Sequence, residues 1–409
     1  MLRSSVRPIS ELHSAVRELG ARKSRAFTLV EVIVCLAILL LIMVIVASMV
    51  SQTSTLWKHT VGRVEQFREA RDGFEAITRR LSQATLNTYW DYDNPNQPTK
   101  YIRQSELRFI SGPQIVGTNN STPPRPTDAV FFQAPLGFVV KSSANDTTFQ
   151  NYQGMENLLN SWGYYVEYND DSKFRPSFLT STPRTRFRLM EYMESSPSLS
   201  LYQYEAQAGG NSKYTEAQVG TVGQNGGWAW FLNGVNYFQT ANNNNASQTA
   251  PVHILAENVI ALILLPKLTP AQQTANGQAF TDASLAPNYA YNSTGYDPTT
   301  SSAMTTVSNI YLDPINQLPP VIQVTMVAMD ETSAIRLGDS GQKAILTQIT
   351  SSGWFTNANN YVKDMAGTGN PPAATSGLEP YLNSQRINYR VFTTDVSIKG
   401  AKWSSYQTK

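Results

Sequence analysis

The stretch Phe27–Val50, FTLVEVIVCLAILLLIMVIVASMV, decides how the rest of the chain is read. It runs for 24 residues with a single charge, Glu31. A helix rising about 1.5 Å per residue would carry it about 36 Å, enough to cross a hydrocarbon core of about 30 Å. Before it lie Arg3, Arg7, Arg17, Arg22, Lys23 and Arg25 against Glu11 and Glu18, and after it the charge is mixed. Basic flanks stay on the cytoplasmic side, so the N-terminus reads as inside and residues 51–409 as outside. A cleavable secretory signal has an apolar region of about 7–15 residues ending in an A-x-A-like site. This run is longer, and no such site follows it. A plain signal anchor fits the length but leaves Glu31 unexplained. A carboxylate costs on the order of 3 kcal/mol at the centre of a span and less near its end.

A partner for Glu31 follows from helical spacing. If the chain is cut between Ala26 and Phe27, the new amine lies four residues before Glu31, on the same helix face. The Phe27 ammonium and the Glu31 carboxylate would neutralise each other, within one subunit or between neighbours. The positive end of the helix favours the same carboxylate.

Arg25-Ala26-Phe27-Thr28-Leu29-Val30-Glu31 resembles the type III signal of type IV pilins and of type II secretion pseudopilins. The resemblance implies that a prepilin peptidase cuts between Ala26 and Phe27 and methylates the Phe27 amine. It also implies that Glu31 serves subunit assembly. The residue before the cut is usually Gly in that class; here it is Ala26, the smallest replacement.

Beyond the apolar run the pattern turns amphipathic. Phe67, Ala70, Phe74, Ile77, Leu81 and Ala84 form one stripe at helical spacing, and Arg68–Asp72, Arg71–Glu75 and Glu75–Arg79 are opposite-charge pairs at i,i+4. No Pro occurs between Phe27 and Trp90. The spacing predicts one nearly continuous helix from Phe27 to about Leu86, roughly 90 Å long, weakest at Gly62 and Gly73. The stripe is under three heptads, which favours packing on the protein's own sheet over a coiled coil. From Asn94 the sequence predicts strands at Glu106–Ile110, Ala129–Gln133, Tyr164–Tyr168, Arg186–Met190, Val259–Leu265, Val321–Met329 and Asn388–Ile398. Long polar loops are expected at Gly117–Thr127, Gln207–Gly227, Ala241–Ala250, Thr269–Ser308 and Asn357–Ser376, on the surface.

The order of long helix, antiparallel strands and strand-rich C-terminus matches the pseudopilin plan. Leu255-Ala256-Glu257-Asn258-Val259 and Leu318-Pro319-Pro320-Val321-Ile322-Gln323-Val324-Thr325-Met326 look like segments of the minor pseudopilin J of type II secretion. A resemblance running through almost the whole chain is to the Verru_Chthon cassette protein C family, a set of prepilin-like proteins. It is carried by the run from Lys58 (KHTVGRVEQFREARDGFEAITRRLSQATLNTYWDYD), by QSELRFIS at Gln104–Ser111 and by AVFFQAPLGF at Ala129–Phe138. MENLLNSWGY at Met155–Tyr164, RFRLME at Arg186–Glu191 and NYRVFTTDVSIKGAKW at Asn388–Trp403 carry it further.

Composition excludes several classes. Lys and Arg total 32 against 30 Asp and Glu, a balance without the concentrated basic charge that nucleic acid requires. Three His and one Cys remove most metal and redox chemistry, and one Cys cannot make a CxxC motif. Gly338-Asp339-Ser340-Gly341 has the look of a serine-protease nucleophile motif, but it needs a His base and a buried Asp. The exported His59 and His253 stand in no such context, and an exposed turn is expected. Asp91-Tyr92-Asp93 begins like a calcium loop but lacks the Gly and Glu that an EF-hand requires at its sixth and twelfth positions. Asn169-Asp170-Asp171 reads as a solvated loop. Cys35 reads as a small apolar side chain in the membrane helix. Scattered Trp and Tyr read as strand core rather than a glycan-binding face.

The sequence therefore predicts an α+β protein in which a long N-terminal membrane-spanning helix packs on an antiparallel sheet, pilin-like, with large loop insertions. Residues 1–26 are the leader, 27–50 the transmembrane helix, 51–86 its amphipathic continuation and 87–409 the exported β-rich domain. The expected function is that of a prepilin-like structural subunit, a minor pseudopilin that assembles after leader cleavage. It has no catalytic, cofactor or metal residues. Its partners would be the prepilin peptidase, other pilin-like subunits and the inner membrane, with the C-terminal domain periplasmic. The large exported domain suits a tip position. The alternative is a membrane-anchored binding module that does not polymerise.

Overall fold

A computed structural model describes residues 28–94, 96–117, 123–137, 155, 157–175, 178, 182–196, 199–201, 230–237, 250–274, 279–297, 302–303 and 312–403. Contacts divide the chain into two compact units, one ending at Gly62 and one beginning at Arg63.

The first unit is dominated by α1, Leu29–Gln66, which continues past the boundary. Its segment Leu29–Thr53 is long and apolar enough to cross a membrane, with a mean hydropathy of 3.4. None of that segment is buried by other parts of the protein, as expected for a helix whose apolar surface is built to meet lipid.

In the second unit the end of α1 is followed by α2, Arg68–Leu81. The helix is broken at Phe67, which has φ −97° and ψ 1°, and ends at Leu81 rather than Leu86. The break does not fall at Gly62 or Gly73. Gly73 is a packing position, since a Cβ there would come within 3.3 Å of Leu189 Cδ2. The predicted stripe is buried: Ala70, Phe74, Ile77, Leu81 and Ala84 all enter the core, with Phe67 half-buried against it. The opposite face keeps the exposed pairs Arg68–Asp72 at 3.9 Å and Arg71–Glu75 at 2.9 Å.

The strands are β1 Tyr89–Tyr92, β2 Tyr101–Gln104, β3 Ile110–Gly112, β4 Ala129–Pro135, β5 Leu159–Asn169, β6 Arg186–Glu194 and β7 Val252–Glu257. They continue as β8 Val259–Lys267, β9 Tyr291–Asn292, β10 Tyr296–Asp297, β11 Ser302–Ala303, β12 Val321–Met329 and β13 Tyr389–Ser397. A six-stranded antiparallel sheet has the order β7-β6-β5-β4-β3-β9, and a three-stranded one the order β13-β12-β8. β1–β2 and β10–β11 are separate two-stranded ladders.

Both faces of the six-stranded sheet are covered, so period-2 alternation distributes side chains between two cores rather than between core and water. Val130, Phe132, Trp162, Tyr164 and Leu189 face the core shared with α2 and the three-stranded sheet. Phe131, Tyr165, Met190 and Tyr192 face a second core with Trp230 and Phe231. α2 meets β4 and β7 of one sheet and β12 and β13 of the other, with Phe74 5.7 Å from Phe392 between ring centroids.

Several expectations are corrected. The strand expected at Glu106–Ile110 begins only at Ile110, and β1, β2, β7, β9, β10 and β11 have no counterpart among the expected strands. Three C-terminal helices also escaped the sequence: α3 Glu331–Ser351, α4 Tyr361–Ala366 and α5 Leu378–Ser384. The segments expected as surface loops at Thr269–Ser308 and Asn357–Ser376 contribute core instead: Leu285, Tyr289, Tyr291 and Met365 are buried. The loop expected at Gln207–Gly227 lies outside the described residues, as does nearly all of Ala241–Ala250.

Candidate functional site

The candidate site begins where α1 begins. Ala26 and Phe27 lie outside the described residues. Thr28 immediately precedes α1, and Glu31 stands in its first turn. The Glu31 N–H donates to Thr28 Oγ1 at 3.3 Å, and the Thr28 N–H donates to Glu31 Oε2 at 3.4 Å. This reciprocal pair is a capping box, long in both bonds, in which a Thr and a Glu three residues apart each satisfy one orphan donor of the helix end. The sequence reading placed Glu31 by its charge and missed this second role, although the Thr-x-x-Glu spacing that signals it was present. The carboxylate also lies where the partial positive charge of the helix terminus is concentrated. Cys35 is exposed on the same helix.

The other sequence candidates fall into ordinary structural roles. Gly338-Asp339-Ser340-Gly341 lies inside α3, not in a turn. Gly338 adopts φ 59° and ψ −170° and kinks the helix, a conformation that suits glycine. The Asp339 carbonyl accepts a hydrogen bond from the Tyr168 hydroxyl at 3.2 Å. His253 is an exposed residue of β7, and His59 belongs to α1. Asp91 and Tyr92 are in β1, and the Asp93 carboxylate closes its own loop by accepting from the N–H groups of Thr99 at 2.9 Å and Lys100 at 3.2 Å and from the Thr99 hydroxyl. The Thr99 hydroxyl and N–H hold its carboxyl well below the usual carboxylate range. Asp170 bonds Ser172, and Asp171 pairs with Arg175 at 3.0 Å. Among the described residues no three His, Cys, Asp or Glu side chains converge to hold a metal ion.

Three polar clusters of the second unit were not legible in the sequence, because each unites residues far apart in the chain. Arg80 of α2 lies 4.1 Å from the centroid of the Trp162 ring, donates to the Tyr164 hydroxyl at 2.9 Å and pairs with Glu191. It fastens α2 to β5 and β6. Arg186 forks onto Glu331 at 2.5 and 2.7 Å and reaches Glu257 at 3.0 Å, while Asn258 donates to Glu331 at 2.8 Å. Burial alone would raise the Glu331 carboxyl, but the hydrogen bonds from Arg186 and Asn258 outweigh it and hold it below its usual value. The third cluster contains Asp128, which is 2% exposed. Its Oδ2 accepts the Leu264 N–H at 2.8 Å, and Thr127 Oγ1 accepts the Leu262 N–H at 3.2 Å. These side chains satisfy the open edge of β8 where no strand continues the sheet. Burial pushes the Asp128 carboxyl up to about 8 against the opposing pull of the Leu264 N–H.

Taken with the geometry of the first turn of α1, the comparison with protein families is specific. The prokaryotic N-terminal methylation motif matches residues 21–47, spanning the basic Arg22, Lys23 and Arg25, Phe27, the Thr28–Glu31 cap and most of the apolar segment. No curated protein and no solved structure matches the chain. The N-terminus thus carries a prepilin-type motif on a helix apolar enough to anchor the chain in a membrane.

Proposed function

We propose that the chain is a prepilin-like structural subunit that is cut between Ala26 and Phe27, methylated on the Phe27 amine, and assembled with other pilin-like subunits through Glu31. The observation that carries this reading is the methylation motif at residues 21–47 lying across the capped start of an unburied apolar helix. A leader of residues 1–26, a membrane segment of residues 27–50 and an amphipathic continuation of residues 51–86 precede a periplasmic domain of residues 87–409. The helix stores the subunit in the inner membrane with its N-terminus inside. On extraction, the Phe27 ammonium meets the Glu31 carboxylate of a neighbour, and the capping box holds that carboxylate at the helix end. The resemblances to a minor pseudopilin and to the Verru_Chthon cassette protein C family support a minor, tip-like place in such an assembly. No enzymatic role is assigned to it.

Mass spectrometry of the membrane-purified protein tests the proposal. The expected mature chain begins at N-methylated Phe27. A mature population retaining peptides across the Ala26–Phe27 bond would refute processing and leave the alternative, an anchored binding module that does not polymerise.

A further inference from the structure

The Asp128 carboxyl borders a cavity of about 270 Å3 in the second unit, lined also by Thr127, Ile263, Ile349, Trp354 and Phe355. Only one Asp128 oxygen is used, on the Leu264 N–H. Tyr289, which does not itself line the cavity, is fully buried, its hydroxyl has no hydrogen-bond partner among the described residues, and it lies within electrostatic reach of both Asp128 and Asp364. Asp364 spends one oxygen on the Phe355 N–H at 2.9 Å. The cavity thus offers a spare carboxylate oxygen, with an indole, the apolar Ile263 and Ile349 and the polar Gln114, Thr350 and Thr356 around it, and among the described residues no basic side chain lines it.

We propose that this cavity binds an alkylammonium group, such as a lysine side chain, with Asp128 as its counter-charge. The chemistry selects against the other ligand classes. An anion would meet a carboxylate and no basic side chain. A calcium ion takes six to eight oxygens, several of them carboxylate, and a single carboxylate lines this wall. An apolar ligand would leave the second Asp128 oxygen unsatisfied. An ammonium brings three donors, enough for Asp128 and for hydroxyl oxygens of the lining such as those of Thr350 and Thr356, and its charge is compatible with a neighbouring indole. Its methylene stem is apolar and suits Ile263 and Ile349. Tyr289 is pushed upward by burial and by the Asp128 and Asp364 charges, and Asp364 is raised by burial, partly offset by the Phe355 N–H and by Lys363. With Asp128 itself titrating at about 8, the empty site is neutral below that pH. A cation binds its ionised form, so affinity should rise about tenfold from pH 6 to 7, about fivefold from pH 7 to 8, and then level off, while lysine, with a pKa near 10.4, stays charged.

The test is calorimetric titration of the full-length protein in detergent with Nα-acetyl-lysine-N-methylamide. Saturable binding that strengthens with pH in this way is expected, with at least a tenfold loss in Asp128→Asn, which keeps an acceptor for the Leu264 N–H. Cadaverine in a parallel titration distinguishes the source: tighter binding of the capped lysine assigns a polypeptide side chain, tighter binding of cadaverine a free amine. Absence of binding at pH 8.5, equal binding of the norleucine analogue, or unchanged affinity in Asp128→Asn would overturn the proposal. This inference rests on the second unit alone, so its failure leaves the leader-cleavage reading untouched.

Discussion

Replacing Ile77 by Ala tests whether the stripe of α2 belongs to this protein's own core. Ile77 is fully buried in the core that α2 shares with both sheets. Truncating a buried Ile to Ala typically costs about 2–5 kcal/mol, through lost transfer energy and the cavity left behind. At about 2 °C per kcal/mol for a domain of this size, the melting temperature should fall by roughly 4–10 °C. The control is Arg71→Ala, whose ion pair with Glu75 is 69% and 63% exposed and contributes about 0–1 kcal/mol. Thermal unfolding of the full-length protein in detergent, followed by tryptophan fluorescence, reads both. If Ile77→Ala melts with the control, the stripe does not hold the domain together. A loss of cross-linking between subunits at unchanged melting temperature would then assign the stripe to a helix–helix contact between copies.

Glu31→Val removes both the charge and the cap, whereas Glu31→Gln keeps an acceptor for the Thr28 N–H and removes only the charge. Both variants should insert in the membrane at least as well as the parent and lose cross-linking between neighbouring subunits; wild-type cross-linking in Glu31→Gln would show that the cap, not the charge, matters. Arg80→Met leaves Glu191, 14% exposed, without its partner and should cost about 2–3 kcal/mol; addition of Glu191→Gln should restore part of this in a urea double-mutant cycle. Asp128 binds a proton in the folded state that it lacks when unfolded between pH 3.8 and about 8. Its contribution is therefore complete below that window and is lost as pH rises through it, by about 1.4 kcal/mol per pH unit. Urea midpoints should show this slope reduced in Asp128→Asn; equal slopes would exclude Asp128 as its source.

The features readable without the fold are those whose information is local. A run of apolar residues long enough to cross a bilayer, a basic flank, and a Phe and a Glu four apart all lie within one stretch, so the apolar helix and the motif were readable without the fold. So was the stripe from Ala70 to Ala84, because helical periodicity is a property of neighbouring residues, and its burial follows wherever an apolar face has a sheet to cover. The long strands at Ala129, Val259 and Val321 announced themselves in the same way, by continuous β-branched and aromatic runs. Features that depend on pairs distant in the chain emerge only once the chain is folded. Glu331 opens a helix beside Arg186, and Asp128 closes the edge of β8 near Tyr289. α3 was hidden by Gly338 and Gly341, whose low helix propensity argues against a helix that packing nevertheless forms through buried Ile345 and Ile349. Polar composition likewise hid the core within Thr269–Ser308, since burial of Leu285, Tyr289 and Tyr291 depends on which surfaces arrive from elsewhere in the chain, and no local pattern encodes that.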